Sequence, residues 1–297
     1  MTELHVPLHC FIAEHGRLPR LGDDPAPYTY QGWLLRYVAL AHAVIPEMKD
    51  RWGYHQRQMQ AGRLLDEPIP QISFLHSPDP ATYKVLEHWV TIAEQHGRLW
   101  DGLQRFIDWL AYGLGVTDSP PKLNEAVQTR LYKEVQIHLF LQHPYDYFGD
   151  FIASRKSSGF NPFAFFPTPH PIVELMTRIQ MDDPSSSQPI NRTRPSEELR
   201  TQEKIMDPCC GTGRMLLHAS NISLRLFGAD IDPLVALIAK INGALYVPWL
   251  AYPFPDSWFT LPENQDHQVN TTPNALEPVL VNAHTIQPTT QIEFAFD

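Results

Sequence analysis

Two acidic residues and a pair of glycines carry the most specific chemistry in the sequence. Residues 207–216 read DPCCGTGRML and directly follow a short apolar stretch. Gly211 and Gly213 lack a Cβ atom, so the backbone can turn sharply there and let a ligand lie against it. Asp207 would stand at the carboxyl end of a strand, where its carboxylate can accept hydrogen bonds from an ammonium group. The pattern predicts a glycine-rich binding loop between a strand and a helix.

A phosphate-binding loop is the main alternative for a glycine-rich turn of this kind. The signature of such a loop ends in Gly-Lys followed by Ser or Thr, whereas Arg214 and Met215 follow Gly213 here. A carboxylate at the mouth of the loop would also repel a phosphate group. A zwitterionic ligand that carries a sulfonium therefore fits these residues better.

A second acidic residue, Asp230, ends the next apolar stretch, in the segment FGADIDP. In nucleotide-binding sheets an acidic residue at this place accepts hydrogen bonds from both ribose hydroxyls. Ile231 would then form an apolar wall for an adenine ring. Asp232 followed by Pro233 is typical of a helix N-cap with proline at the first helical position. We therefore expect Asp232 to be structural rather than catalytic.

The elements that must position these residues change character along the chain. From about residue 30 to 143 the apolar spacing is helical and predicts four to six helices. From residue 204, strand-like and helical stretches alternate, which predicts a parallel sheet with right-handed crossovers. The sequence therefore predicts a helical N-terminal domain over residues 1–143 and an α/β domain over residues 144–297. Within the latter, the polar stretch 182–203 predicts an exposed loop.

Composition limits the class of protein and its partners. The chain has 297 residues, 43% of them apolar, with three cysteines and a formal net charge of −10. The odd cysteine number and the lack of Cys-x-x-Cys spacing argue against a disulfide framework and a metal site, and favour a cytoplasmic location. No stretch approaches about 18 uninterrupted apolar residues, so we expect no membrane segment. The acidic balance predicts weak binding of duplex DNA by this chain alone.

Four motifs in one order resemble the gamma-type N6-adenine DNA methyltransferases, including the modification subunits of type I restriction systems. They are PYDYFGD at 144–150, FFPTP at 165–169, DPCCGTG at 207–213 and GADID at 228–232. The resemblance covers roughly residues 140–297. It implies a class I S-adenosylmethionine-dependent methyltransferase domain, with a Rossmann-like α/β fold, behind the helical domain. It also implies S-adenosylmethionine as the cofactor and a restriction-modification or defence system as the setting.

The resemblance implies a role for each motif. Phe166 and Thr168 would touch the methionine end of the cofactor, and Asp230 and Ile231 would contact its ribose and adenine. Its amino-acid part would lie against the loop residues Asp207, Pro208, Cys209, Gly211, Thr212 and Gly213. In the next motif of the family an Asp or Asn contacts the adenine, and His284 takes that place here. This contact requires the right histidine tautomer.

The family holds the target adenine with an Asn/Asp-Pro-Pro-Tyr/Phe motif. Residues 292–297, IEFAFD, resemble the strand that leads into it, so we expect the domain to be truncated before this motif and to have no catalytic residue. Apolar runs at 279–281 and 292–296 suit later strands of the sheet. Two internal segments, SPPK at 119–122 and NPF at 161–163, resemble the motif in part. Each lacks the aromatic or the second proline, and both are interpreted as helix-breaking turns.

Three functional hypotheses remain. The first is the S-adenosylmethionine-binding subunit of a DNA adenine-N6 methyltransferase-like system, inactive alone. Another protein subunit would supply the catalytic motif and DNA recognition, and DNA would bind only within the complex. The second is a catalytically dead methyltransferase-like scaffold or cofactor sensor in a multi-protein complex. The third, a small-molecule methyltransferase, requires a substrate pocket in the first 145 residues, where we find no acid-base constellation.

Overall fold

The structure, a computed structural model, describes residues 30–94, 99–156, 165–182 and 201–259. None of the helices in these ranges is long and apolar enough to cross a membrane. The α-helices and strands of these ranges are α1 Leu35–Val44, α2 Arg51–Ala61, α3 Pro80–Ala93, α4 Leu99–Gly113, α5 Glu125–Glu134, α6 Ile137–Gln142, α7 Tyr147–Lys156, α8 His170–Asp182, β1 Lys204–Asp207, α9 Arg214–Ala219, β2 Arg225–Gly228, α10 Pro233–Tyr246 and α11 Pro248–Ala251. Short 3-10 helices lie at Pro46–Met48 and Asp256–Trp258.

The helical character predicted up to residue 143 is confirmed, since α1 to α6 lie there. Local signals start two of these helices. Asp79 accepts a hydrogen bond from Thr82 N at 2.8 Å and precedes Pro80, and Asn124 caps α5 in the same way. Trp89 and Trp109 are core residues, as each is 1% exposed.

Strands β1 and β2 form a parallel pair in which Asp207 lies opposite Gly228. Helix α9 connects them and α10 follows β2, as the alternation predicted. Within the described residues the sheet has two strands, so a small sheet in a mainly helical fold is observed rather than a complete doubly wound sheet. The runs at 279–281 and 292–296, and nearly all of the polar stretch 182–203, lie outside the described residues.

The helices before residue 143 pack directly against those after it. Trp52 Nε1 donates to Ala244 O at 2.9 Å, and His42 Nε2 lies 2.8 Å from Leu245 O. Arg51 is completely buried beside them and donates to carbonyl and hydroxyl oxygens of the second half. One hydrophobic core therefore spans both halves, and the domain boundary at 143 stays a prediction.

Candidate cofactor-binding site

An open cavity of about 340 Å³ lies where β1 and β2 end. In open α/β sheets ligands bind at the carboxyl ends of the strands, and about 300–1,000 Å³ is usual for a small-molecule site. The cavity is lined by Phe165, Phe166, Pro167, Thr168, Val173, Asp207, Pro208, Cys209, Cys210, Gly211, Thr212, Arg214, Met215, Asp230, Ile231 and Asp232.

Three separate sequence motifs meet at this cavity. Nine of the residues predicted to contact a cofactor line it: Phe166, Thr168, Asp207, Pro208, Cys209, Gly211, Thr212, Asp230 and Ile231. Gly213 is not among the lining residues and is instead the N-cap of helix α9. His284 and the segment 161–163 lie outside the described residues. The segment 119–122 contributes nothing to the lining and forms an irregular connection between α4 and α5, as its interpretation as a turn requires.

The sharp turn of the loop depends on Gly211. Its φ is +53°, and a Cβ atom there would lie 2.8 Å from the ring of Phe165. Its amide donates to Asp230 Oδ2 at 2.8 Å, which ties the loop to the end of the next strand. Because a side chain would be both strained and obstructed, this position requires glycine. Gly213, with φ +89°, provides the left-handed residue at the N-terminus of α9.

Two carboxylates make the cavity acidic while shaping its turns. Asp207 Oδ1 accepts from Cys209 N at 3.1 Å, and Asp230 Oδ1 accepts from Asp232 N at 2.9 Å. Burial, with a contribution from Asp230, raises the pKa of Asp207. Each carboxylate oxygen has two lone pairs, so both groups keep acceptor capacity for a ligand. Asp232 accepts from Leu234 N at 3.0 Å and caps α10, which confirms its structural role.

Apolar side chains complete the lining. Phe166 is 81% exposed and Ile231 72% exposed, which are large values for apolar residues on a concave surface. Cys210 is buried, and burial raises the pKa of its thiol to about 12, so it is a neutral packing residue. The cavity therefore combines acidic groups with an apolar surface, as a cationic ligand with a flat ring requires.

A buried carboxylate lies beneath the loop. Asp146 is completely buried, and its Oδ2 accepts from Thr212 Oγ1 at 2.5 Å and from Arg214 Nε at 2.7 Å. Its Oδ1 accepts from Gly149 N and from Asn242 Nδ2, both at 2.9 Å. Burial alone would raise the pKa of Asp146, but Arg214 and these hydrogen bonds hold it below its usual value. Asp146 is therefore a charged group fixed on four sides.

Arg214 extends this network to the other wall of the cavity. Its Nη1 donates to Thr168 O at 3.1 Å, and its Nη2 donates to Asp150, which also accepts from Tyr145 OH. Burial opposes the charge, but the two carboxylates raise the pKa of Arg214 above its usual value. Neither Asp146 nor Arg214 was predicted from the sequence to contribute to the site. Their signal was two acidic residues in PYDYFGD, among apolar and aromatic neighbours, and a basic residue directly after the glycines.

A second cavity, of about 480 Å³, lies between the segment 71–76 and helices α8 and α9. Glu174 on its rim already accepts hydrogen bonds from His76 at 2.8 Å and from Arg178 at 2.5 Å. Among the residues that the structure describes, no cluster of three or more His, Cys, Asp or Glu could hold a metal ion. The acidic cavity at the strand ends is thus the better candidate site.

The comparisons with known proteins identify the same part of the chain. Residues 140–246 match the family model described as N-6 DNA Methylase. This segment runs from α6 to the end of α10 and contains Asp146, the glycine loop and Asp230. No curated protein and no solved structure matches the chain. The segment 140–246, which builds both the cavity and the buried network beneath it, is therefore similar to the N6-adenine DNA methyltransferases.

Proposed function

We propose that the cavity binds S-adenosylmethionine, and that the chain is the cofactor-binding subunit of a DNA adenine-N6 methylation system of restriction-modification or defence type. The observation that carries the proposal is the meeting of three family motifs in one cavity at the strand ends. A glycine loop, two carboxylates and exposed apolar side chains contribute to the same lining. The family match supports methyltransferase chemistry for this site.

The lining residues fit the chemistry of this cofactor. Asp230 would accept hydrogen bonds from the ribose hydroxyls, and Ile231 would pack on the adenine. Asp207 would accept from the ammonium group, while Phe166 and Thr168 would contact the methionine end. The acidic lining favours a cationic ligand and disfavours a phosphate. When bound, the cofactor supplies a methyl group on a sulfonium, and the residues of this chain bind and orient it.

We also propose that another polypeptide supplies the groups that hold the target adenine, and that DNA binds only within the complex. Methyl transfer needs the acceptor amine fixed within reaction distance, and binding the cofactor positions one of the two reactants. Within the described ranges, no lining residue belongs to an Asn/Asp-Pro-Pro-aromatic sequence. The net charge of −10 also opposes unaided binding of a DNA backbone.

Calorimetry with S-adenosylmethionine on the full chain tests the first part of the proposal. A single site is expected, and a folded chain that shows no binding at millimolar cofactor contradicts it. A radiolabelled methyl-transfer assay on unmethylated DNA tests the second part. We expect no transfer by the purified chain and transfer after the subunit encoded by a neighbouring gene is added. Binding of the cofactor without transfer in either case would favour a scaffold or cofactor sensor.

A further inference from the structure

One side chain, Arg214, joins three segments around the cavity. It is the first residue of α9, directly after the glycine loop, and is 5% exposed. Its guanidinium donates to Asp146 Oδ2 at 2.7 Å, to Thr168 O at 3.1 Å and to Asp150. Since Thr168 belongs to the turn that forms another wall, Arg214 connects the loop, that turn and the start of α7.

The loop is also held from below by its own residues. Thr212 Oγ1 donates to Asp146 at 2.5 Å, and Thr212 O accepts from Asn242 Nδ2 at 2.9 Å. The same amide nitrogen donates to Asp146 Oδ1. The side chains of Thr212 and Arg214 therefore attach to one carboxylate, whose position α7 and α10 both determine.

We propose that Arg214 is a positioning residue, which sets the separation between the Thr168 turn and the glycine loop. Oxygen atoms of three residues accept from its guanidinium, so it acts through the two walls and not as the principal ligand contact. A planar guanidinium can satisfy three acceptors in different directions, whereas a lysine ammonium at the end of a flexible chain does not reproduce that geometry. The inference rests on the proposed function, because the ligand that needs this separation is the whole cofactor.

If Arg214 positions the two walls, its loss should affect the binding of the whole cofactor and of a fragment differently. S-adenosylmethionine would contact both the Thr168 turn and the loop with Asp230. Adenosine would contact only the side of Asp230 and Ile231. A change in the separation of the two walls therefore weakens binding of the whole cofactor and leaves adenosine binding nearly unchanged. A general loosening of the fold would weaken both ligands alike.

The test compares Arg214→Lys with a matched control, Arg225→Lys, by calorimetry with both ligands on the full chain. Arg225 also pairs with a carboxylate, that of Asp256 at 3.1 Å, but it lies at the start of β2, away from the cavity. In Arg214→Lys we expect S-adenosylmethionine to bind about tenfold more weakly or worse, and adenosine affinity to change by less than about twofold. The control should change neither. Equal losses for both ligands in Arg214→Lys would overturn the proposal.

Hydrogen exchange of the ligand-free chain gives a readout that does not depend on the proposed cofactor. Amides in the segment 165–173 should exchange faster in Arg214→Lys than in the wild type or in Arg225→Lys, because the Thr168 carbonyl loses its donor. Unchanged exchange overturns the positioning role even if the cofactor binds. Failure of the wild type to bind S-adenosylmethionine refutes the proposed function instead. If Arg214→Lys does not fold, Asp150→Asn is the second variant. Its side chain is 29% exposed, and the substitution weakens one contact of the guanidinium by removing its charge, so both readouts are expected to change in the same direction.

Discussion

Beneath the glycine loop Asp146 is completely buried and accepts four hydrogen bonds, whereas Phe166 and Ile231 on the cavity side are 81% and 72% exposed. On the cavity side the carboxylate of Asp207 accepts one hydrogen bond from the described residues, and that of Asp230 accepts two. The two sides of one loop therefore differ in how fully their polar groups are satisfied. The carboxylate beneath the loop uses its hydrogen-bond acceptor capacity within the protein, whereas the carboxylates on the cavity side keep capacity for a ligand.

This difference shows how the loop can be shaped before a ligand arrives. A preformed site avoids the conformational entropy cost of ordering its walls when the ligand binds. The buried network supplies that order, since Asp146 and Arg214 tie the loop to α7, α10 and the Thr168 turn. Loss of the Asp146 charge should therefore act first on stability and loss of the Asp230 carboxylate on affinity, whereas Arg214 should act on affinity through the Thr168 turn.

Acid pH should have the largest effect, because it acts on several buried groups together. Burial lowers the pKa of His42 and His170 to about 3, and of His55 and His218 to about 4. The unfolded chain binds protons at these histidines below about pH 6.5, while the folded chain does not, so stability falls as pH drops from 6.5 toward 4. Asp146, whose pKa is lowered, loses its contribution only at more acidic pH.

Urea unfolding at a series of pH values measures this loss. His42→Gln offers an amide to Leu245 O and cannot gain a proton, so its stability should fall less steeply between pH 6.5 and 4. A pH-independent wild type over this range would show that the buried histidines are not held neutral.

The next largest effect is expected for Asp146→Asn. The substitution removes the charge that balances Arg214 in a buried site and places an amide where all four neighbours donate. Breaking a buried ion pair in this way typically costs about 3–5 kcal/mol of the free energy of unfolding. Urea unfolding at neutral pH measures it. Asp150→Asn, at a position with a partly exposed side chain, should lower the free energy of unfolding less. Equal losses in the two variants would contradict the view that Asp146 is the main charge partner of Arg214.

The sequence predicted the upper side of the loop well because its signals are local. Glycine spacing, an acidic residue at a strand end and the Asp232–Pro233 cap each lie within a few residues, and the structure shows the corresponding turns. Helices up to residue 143 were equally accessible, because apolar spacing reports on a single helix.

The lower side could not be found in the same way because its partners are distant in sequence. Asp146 bonds to Thr212, 66 residues away, and to Asn242, 96 residues away. Arg51 is a similar case, since a basic residue on a helix predicts exposure. It is instead completely buried, because Ser220 and Tyr246 O, 169 and 195 residues later, accept its hydrogen bonds. Such pairings follow from the assembled core and not from the local pattern.

A smaller effect, on affinity, is expected above the loop. Asp230→Ala should weaken S-adenosylmethionine binding by about 1–3 kcal/mol, because the ribose hydroxyls lose charge-assisted hydrogen bonds. Calorimetry measures this loss directly. Asp256→Ala is a control at an acidic side chain that is 73% exposed and does not line the cavity, so its affinity should match the wild type. If both variants bind equally well, Asp230 does not contact the ligand.

The smallest effect is expected for Gly211→Ala. Two features of the turn favour glycine at this position, a positive φ and a lack of space for a Cβ atom. Alanine at this position must adopt φ +53° and must also bring its Cβ within 2.8 Å of Phe165. Gly62 has a similar φ of +65°, but no atom lies within 4 Å of a Cβ added there. Gly62→Ala should therefore lower the free energy of unfolding only by the cost of the left-handed backbone, about 1–2 kcal/mol. Gly211→Ala should cost about 1 kcal/mol more in urea unfolding, since the aromatic ring must shift.

Adding Phe165→Ala to each variant tests the origin of this difference. Phe165→Ala should lower the free energy of unfolding less in the Gly211→Ala background than in the Gly62→Ala background. Only in the Gly211→Ala background does it remove a close contact between the ring and the new Cβ atom. Equal costs would mean that the ring moves freely, and that the backbone alone requires glycine at the cavity.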